Sequence, residues 1–261
     1  MPLHGPGRSE LGCGNLALAK TGTPLAIYTS SKSARPFDAK PMVSRWGGAR
    51  NSASRTSDAL SLEQARGIIE AAQFACAIGL PLNRHVTIHL ERAGVPDCEA
   101  AAAIGKFLTL VRDWLRKGDE FEKQSNNSIA CGANSFAYLW VRENGDAKGS
   151  HVHILMHIPA GRQWNGWRLR RWLTRVTGSP YRAGIVQTAR IGRSVTAAAL
   201  APQLYQANLA KVVAYVIKCT SRQAARELGL ANTEFGGSIT GKRCATSQNI
   251  GRAVRMAGPV S

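Results

Sequence analysis

Acidic residues are scarce in this chain: 16 Asp and Glu stand against 34 Lys and Arg, giving a net charge of +18 and an isoelectric point near 10.4. That imbalance argues against a small neutral substrate and for a polyanion, with nucleic acid first. The deficit is uneven, since Arg162 to Arg255 holds sixteen Lys or Arg residues against two acids, Glu227 and Glu234. Such clustering fits a phosphate-binding surface better than a uniform solubility coat. Cysteine pairs are missing too. The six cysteines are scattered with no CxxC, and no apolar leader of the secretory kind opens the chain, so a reducing cytoplasm is expected. No apolar run approaches the length that crosses a bilayer, and no membrane partner is expected. Apolar residues are sparse over residues 1–57, where Gly, Pro, Ser, Thr, Lys and Arg dominate, and a basic, flexible, disordered tail is the expectation there. No internal repeat is present.

The chain as a whole is 44% hydrophobic, ordinary for a globular protein. Ser61-Leu-Glu-Gln64 reads as a capping box opening a helix that ends near Gly79, before Pro81. His85-Val-Thr-Ile-His-Leu-Glu91 alternates polar and apolar as a strand, and an amphipathic helix follows from about Asp97 to Lys117, with Gly118 as its stop. Phe136 to Glu143 reads as a strand joined through Asn144–Gly149 to a second, with which it forms an antiparallel hairpin. Gln163 to Val176 is a basic helix in which Trp164, Trp167 and Trp172 are expected to anchor the core while arginines face solvent or phosphate. Ile185 to Ile191 is a further strand, and a last strong helix runs from Pro202 to about Cys219.

Half of the six histidines fall in Gly149-Ser-His-Val-His-Ile-Leu-Met-His-Ile-Pro159. Alternation places His151, His153 and His157 on one, exposed, sheet face while Val152, Ile154, Met156 and Ile158 enter a core. Neighbouring imidazoles on that face stand about 7 Å apart along the strand, a spacing that suits two ligands of one metal ion. Glu143, on the paired strand, completes a two-histidine, one-carboxylate set with open positions, suited to Mg²⁺ or Mn²⁺ when phosphate oxygens fill the shell. Taken alone, the histidines also fit polar residues on a half-solvated strand, and Glu143 a solvated turn residue. Downstream, Tyr215 and Lys218 share one helix face, so the ammonium can assist the phenol as a nucleophile; a YxxK also fits packing without chemistry.

The order of these pieces, a carboxylate, then His151-Val-His153 among aliphatics, then a helical Tyr215-Val-Ile-Lys218, resembles the HUH single-stranded DNA endonucleases, in particular single-tyrosine rolling-circle replication initiators. Trp140-Val-Arg-Glu-Asn-Gly145 and Gly241-Lys-Arg-Cys-Ala-Thr-Ser-Gln-Asn-Ile-Gly251 likewise resemble the replication-associated proteins of bacterial plasmids and filamentous phages, over roughly residues 83–251. The resemblance implies an α+β fold of the RRM-like, ferredoxin-like kind, with a central antiparallel sheet of about five strands flanked by helices. It implies an endonuclease domain over residues 58–251, between the N-terminal tail and a C-terminal tail at 252–261. His151, His153 and Glu143 would be metal ligands for Mg²⁺ or Mn²⁺, Tyr215 the nucleophile that forms a 5′-phosphotyrosine, and Lys218 its electrostatic partner. His85-Val-Thr-Ile-His-Leu occupies the place of the family's first strand motif but carries histidines at both ends, which leaves open whether His89 joins Glu143. The implied partners are single-stranded origin DNA, a host helicase and the replication machinery of a bacterial cell.

Arg168, Arg171, Arg175, Lys242 and Arg243 are the candidate DNA-binding residues. Gly236-Gly-Ser-Ile-Thr-Gly-Lys242-Arg243 nearly spells a nucleotide-binding loop, but Arg243 replaces the Mg²⁺-binding hydroxyl and no apolar strand leads in, so it is expected to contact DNA phosphates. Histidine triad hydrolases fit less well because the third alternate position is Leu155, and amidohydrolases need ligands spread over many strands. Two alternatives stay open: a non-catalytic single-strand-binding protein on the same fold, and a relaxase or transposase using the same chemistry.

Overall fold

The alternations in His85–Glu91 and His151–Ile158 become neighbouring strands with matched faces. The computed structural model describes residues 55–123, 136–145 and 148–258, all within one unit, Gly48–Ser261. The tail expected over residues 1–57 lies outside the described residues except at its end, where Thr56–Ser57 is not tail but a short strand, β1, paired with β6 (Ile239–Thr240). Helix α1 (Leu62–Ala77) starts at the expected capping box: Ser61 Oγ accepts from the Gln64 amide while Gln64 Oε1 accepts from the Ser61 amide. Gly79, at φ +74°, closes it.

The main sheet contains β2 (Arg84–His89), β3 (Tyr138–Gly145), β4 (Gly149–Met156), β5 (Val186–Arg190) and β7 (Cys244–Thr246) in the order β5-β2-β4-β3-β7, every neighbour antiparallel. Helix α2 (Ala100–Lys123) connects β2 to β3, and α3 (Gly166–Thr177) connects β4 to β5. Gly118 does not stop α2, which runs through it; a helix interior tolerates a single glycine at a modest cost in propensity. The architecture is thus α+β, a five-stranded antiparallel sheet flanked by helices. Helices α4 (Ala197–Leu200), α5 (Pro202–Val216), α6 (Arg222–Glu227) and α7 (Arg252–Ala257) follow. The last is a helix packed near α1 in place of the C-terminal tail expected from residue 252, and Arg255 of α7 donates to the Ile250 carbonyl.

Both sheet faces are covered. Val86, Ile88, Trp140, Val152, Ile154 and Met156 pack against Ile104, Phe107 and Val111 of α2 and Leu169 and Leu173 of α3. On the histidine side, Leu139, Val141 and Leu155 meet Ile68 and Ala72 of α1 and Tyr205, Leu209, Val213 and Val216 of α5. The face expected to be exposed is therefore buried, because Leu139 and Val141 of β3 and Leu155 of β4, which share it with the histidines, are apolar and need a cover. His157 lies beyond β4; its Nδ1 donates to the Pro81 carbonyl at 2.8 Å and it takes no place in the row with His151 and His153. Among the described residues no helix is long and apolar enough to cross a membrane.

Candidate metal centre

Strand register brings the acid and the histidines together. Glu143 on β3 is the direct cross-strand partner of His151 on β4, and Thr87 on β2 is that of His153. Period two then sets Glu143, His151, His153 and Thr87 on one face. Glu143 Oε2 stands 3.3 Å from His151 Nε2, and Oε1 stands 3.7 Å from His153 Nε2. One ligand atom from each of the three residues lies within 4.8 Å of the others, and each imidazole is only 2% exposed.

Protonation follows from the outer partners. His151 Nδ1 lies 2.8 Å from the Gly149 carbonyl, which can only accept, so Nδ1 carries the proton and Nε2 turns toward Glu143. His153 Nδ1 is 3.0 Å from the Thr87 hydroxyl and 3.2 Å from His85 Nε2, which likewise leaves its Nε2 aimed inward. Nε2 of both histidines and Oε1 of Glu143 are buried without a hydrogen-bond partner among the described residues. Three converging acceptors in a buried site repel one another unless a cation sits among them. A buried Glu143–His151–His153 group that can bind a metal ion is the feature these contacts define.

The surrounding charges agree. Burial alone would raise the Glu143 pKa, but the hydrogen bonds and charges around it, the Lys218 ammonium among them, outweigh that and hold the carboxyl well below the usual carboxylate range. Burial pushes the His153 imidazole below its ordinary value against the pull of Glu143, and it pushes His85, with repulsion from His153, down to about 4. His89 is lowered by burial and by His151. Its ring lies 5.6 Å from that of His151, outside the three-residue cluster.

Helix α5 ends at Val216, short of the expected Cys219, so Tyr215 occupies its last turn while Lys218 lies past it. The Lys218 amide donates to the Tyr215 carbonyl in a tight turn, and this keeps the two side chains together: Nζ is 5.1 Å from the phenol ring centre. Nζ also donates to Glu143 Oε2 and to Glu234 Oε2, each at 2.7 Å. Burial would lower the Lys218 pKa, but the two carboxylates outweigh it and raise it above its ordinary value. The Tyr215 ring packs edge-on against His153 at 5.2 Å and His85 at 6.2 Å, and it is 41% exposed. Cys219, next in the chain, is held as a thiol; burial and then Glu143 push it up to about 12.

The sequence left Glu234 and Thr87 without roles. Glu234 reaches Lys218 because its amide donates to the Lys218 carbonyl and because the following loop lies against β3. Gly237, at φ +64°, sits so close that a Cβ there would come within 1.6 Å of the Asn144 carbonyl oxygen. No local pattern announces that approach beyond the Gly236-Gly237 pair itself.

The expected DNA contacts divide. Lys242 is exposed, but Arg243 is buried and its guanidinium meets the Ser57 backbone carbonyl and hydroxyl and the carbonyls of Gly236 and Gly237. No phosphate can reach it, and the segment expected to offer a phosphate cradle is clamped from within. Arg168, Arg171 and Arg175 lie on α3, in the layer across the sheet from the metal-ligand cluster. Trp164 and Trp172 pack against the core as expected, but Trp167 is exposed. No protein-family model, curated protein or solved structure matches the chain.

Proposed function

We propose that the protein is a rolling-circle replication initiator of the HUH kind, which nicks and rejoins single-stranded DNA through one tyrosine. The observation that carries this reading is the convergence of three unpartnered, buried ligand atoms of Glu143, His151 and His153 beside the half-exposed ring of Tyr215. A metal-binding role by itself would not call for a phenol there, and strand binding by itself would require neither. The β-α-β-β-α-β path of β2 to β5, with spatial order β5-β2-β4-β3, is that of a ferredoxin-like sheet, which supports the same family.

Bound at the cluster, Mg²⁺ or Mn²⁺ would supply polarisation of the scissile phosphate. The Tyr215 oxygen attacks phosphorus, its proton passing to solvent at the open side of the ring. The bond from phosphorus to the 3′ oxygen breaks, and that oxygen takes a proton from water to become a free 3′-hydroxyl. A 5′-phosphotyrosine remains, and attack by a 3′-hydroxyl reverses the step and rejoins the strand. Lys218, fixed as an ammonium by two carboxylates, acts as a cation that balances charge growing on the phenol oxygen, and not as a base. Lys242 is exposed, and in this reading it meets the DNA backbone. Unwinding falls to a host helicase.

Labelled single-stranded origin DNA incubated with the protein and Mn²⁺ tests this. A protein-linked DNA band that disappears in Tyr215→Phe is expected. Its absence from the native protein, with the strand still bound, would leave a non-catalytic binding protein.

A further inference from the structure

Across the sheet from the cluster, α2 and α3 enclose a groove of about 660 Å³ lined by Arg116, Lys117, Arg168, Arg171 and Arg175, with Asp113 its single acid. Asp113 already faces Arg112 at 3.7 Å. Helix α3 contains no acidic residue, and Arg168, Arg171 and Arg175 recur at spacings of three and four, so they stack along one face for about 10 Å. Like charges at those spacings weaken a helix. Arg175 has a partial structural reason, since it lies in the last turn at the negative end of the helix dipole. Arg168 donates to the Gln163 carbonyl at 3.1 Å, but none of the three arginines has an acidic partner among the described residues.

The aromatic side of the groove is equally particular. Trp114, Trp164 and Trp172 pack on one another with ring centres 5.6 to 5.9 Å apart, forming a rigid wall above the core. Trp167 does not join them. It is 63% exposed, and the Arg171 guanidinium lies over its ring at 4.7 Å, while Arg168 lies over Trp114 at 4.8 Å. A large indole held out in water by a cation, beside a row of uncompensated cations, matches what a single strand presents: a flat base next to each phosphate. A bare anion would not require the indole, and an apolar partner would not require the arginines.

We infer that this groove is a second nucleic-acid site, which holds a single-stranded segment by stacking a base on Trp167 and pairing its phosphates with Arg168, Arg171 and Arg175, separately from the strand at the metal-ligand cluster. It rests on the proposed function only in taking nucleic acid as the ligand. Because the sheet lies between the two sites, the groove needs neither metal nor Tyr215.

The full chain is titrated into labelled oligothymidylate in EDTA, with anisotropy as the readout. Native protein and the His151→Ala, His153→Ala double variant are expected to bind alike, and Trp167→Ala is expected to bind about tenfold more weakly. An Arg171→Glu, Arg175→Glu variant, changed only at exposed positions, is expected to weaken binding further and to flatten its salt dependence. With Mn²⁺ and saturating DNA, Trp167→Ala is expected to form the tyrosine adduct as the native protein does. Binding by both groove variants within about twofold of native overturns the inference, as does binding lost only in the histidine variant. So does Trp167-dependent attachment to anionic phosphatidylglycerol vesicles with strand binding unchanged. If no protein forms an adduct, the nuclease reading fails while the anisotropy still decides the groove.

Discussion

The Thr87 hydroxyl stands 3.0 Å from Nδ1 of His153, across the β2–β4 pair. It accepts the proton that Nδ1 must carry if Nε2 is to face Glu143, and so fixes the ring's tautomer and tilt. Thr87→Val keeps the shape and removes the nearer of the two acceptors, leaving His85 Nε2 at 3.2 Å. Mn²⁺ affinity measured by calorimetry should fall about tenfold while the fold persists.

Metal binding should also stabilise the fold. With Mn²⁺ at about a hundred times its dissociation constant, a native-state ligand adds about 2.7 kcal/mol to unfolding. Glu143→Gln removes the charged member of the cluster but leaves Lys218 its second carboxylate, Glu234. Its melting temperature should not respond to Mn²⁺, whereas that of the native protein should rise.

Two tyrosines of α5 have opposite expectations. Tyr205 is 1% exposed, donates to the Leu82 carbonyl at 2.8 Å, and is raised in pKa by burial and by Cys76, so it cannot attack a phosphate. Tyr205→Phe should cost about 1 kcal/mol of stability in denaturant titration and leave adduct formation intact. Tyr215→Phe should do the reverse.

Arg243 and Lys242 are adjacent and should behave differently. Removing the Arg243 guanidinium takes a buried donor from the carbonyls of Ser57 and Gly237 and leaves that of Gly236 to the Asn144 amide alone, so Arg243→Ala should cost about 3 kcal/mol. Lys242→Ala should change stability by less than about 0.5 kcal/mol and reduce the salt slope of DNA binding by about 1. Chemical denaturation and binding at several ionic strengths separate the two.

His157 gives a pH dependence. Burial holds its imidazole below the ordinary 6.5, against the Pro81 hydrogen bond, so the folded chain keeps it neutral where the unfolded chain takes up a proton. The unfolded state binds more protons, and stability therefore declines as pH falls below about 6.5. In metal-free protein, the stability advantage of the native chain over His157→Asn should shrink between pH 7.5 and pH 5.5 on urea titration. An advantage that stays constant or grows would show that His157 does not remain neutral in the fold.

The sequence made the cluster legible because its parts are close in the chain and obey a period of two. Glu143 and His151 need only a hairpin to meet, and alternation puts His153 on the same face. Coverage of that face was not legible, since Leu155 and Val141 look like strand residues whichever layer they meet. Glu234 joins through a glycine packed on a distant carbonyl, and no local pattern encodes that. Arg243 shows a further limit: a guanidinium satisfies backbone carbonyls as readily as phosphates, and the sequence around it is the same in either case. Gly118 looks like a stop in the sequence although α2 continues through it, because propensity is a weak signal and one glycine costs a helix interior little.

All three candidate ligands belong to a single hairpin, β3–β4, while Tyr215 arrives on a helix from much later in the chain. Hairpins form within microseconds, and distant helices dock only after longer loops close. The candidate cation pocket and Tyr215 therefore belong to pieces that assemble at different times and can come apart separately. Amide exchange should find the hairpin protected after the last turn of α5 has frayed, a state in which Glu143, His151 and His153 stay together while Tyr215 has left them.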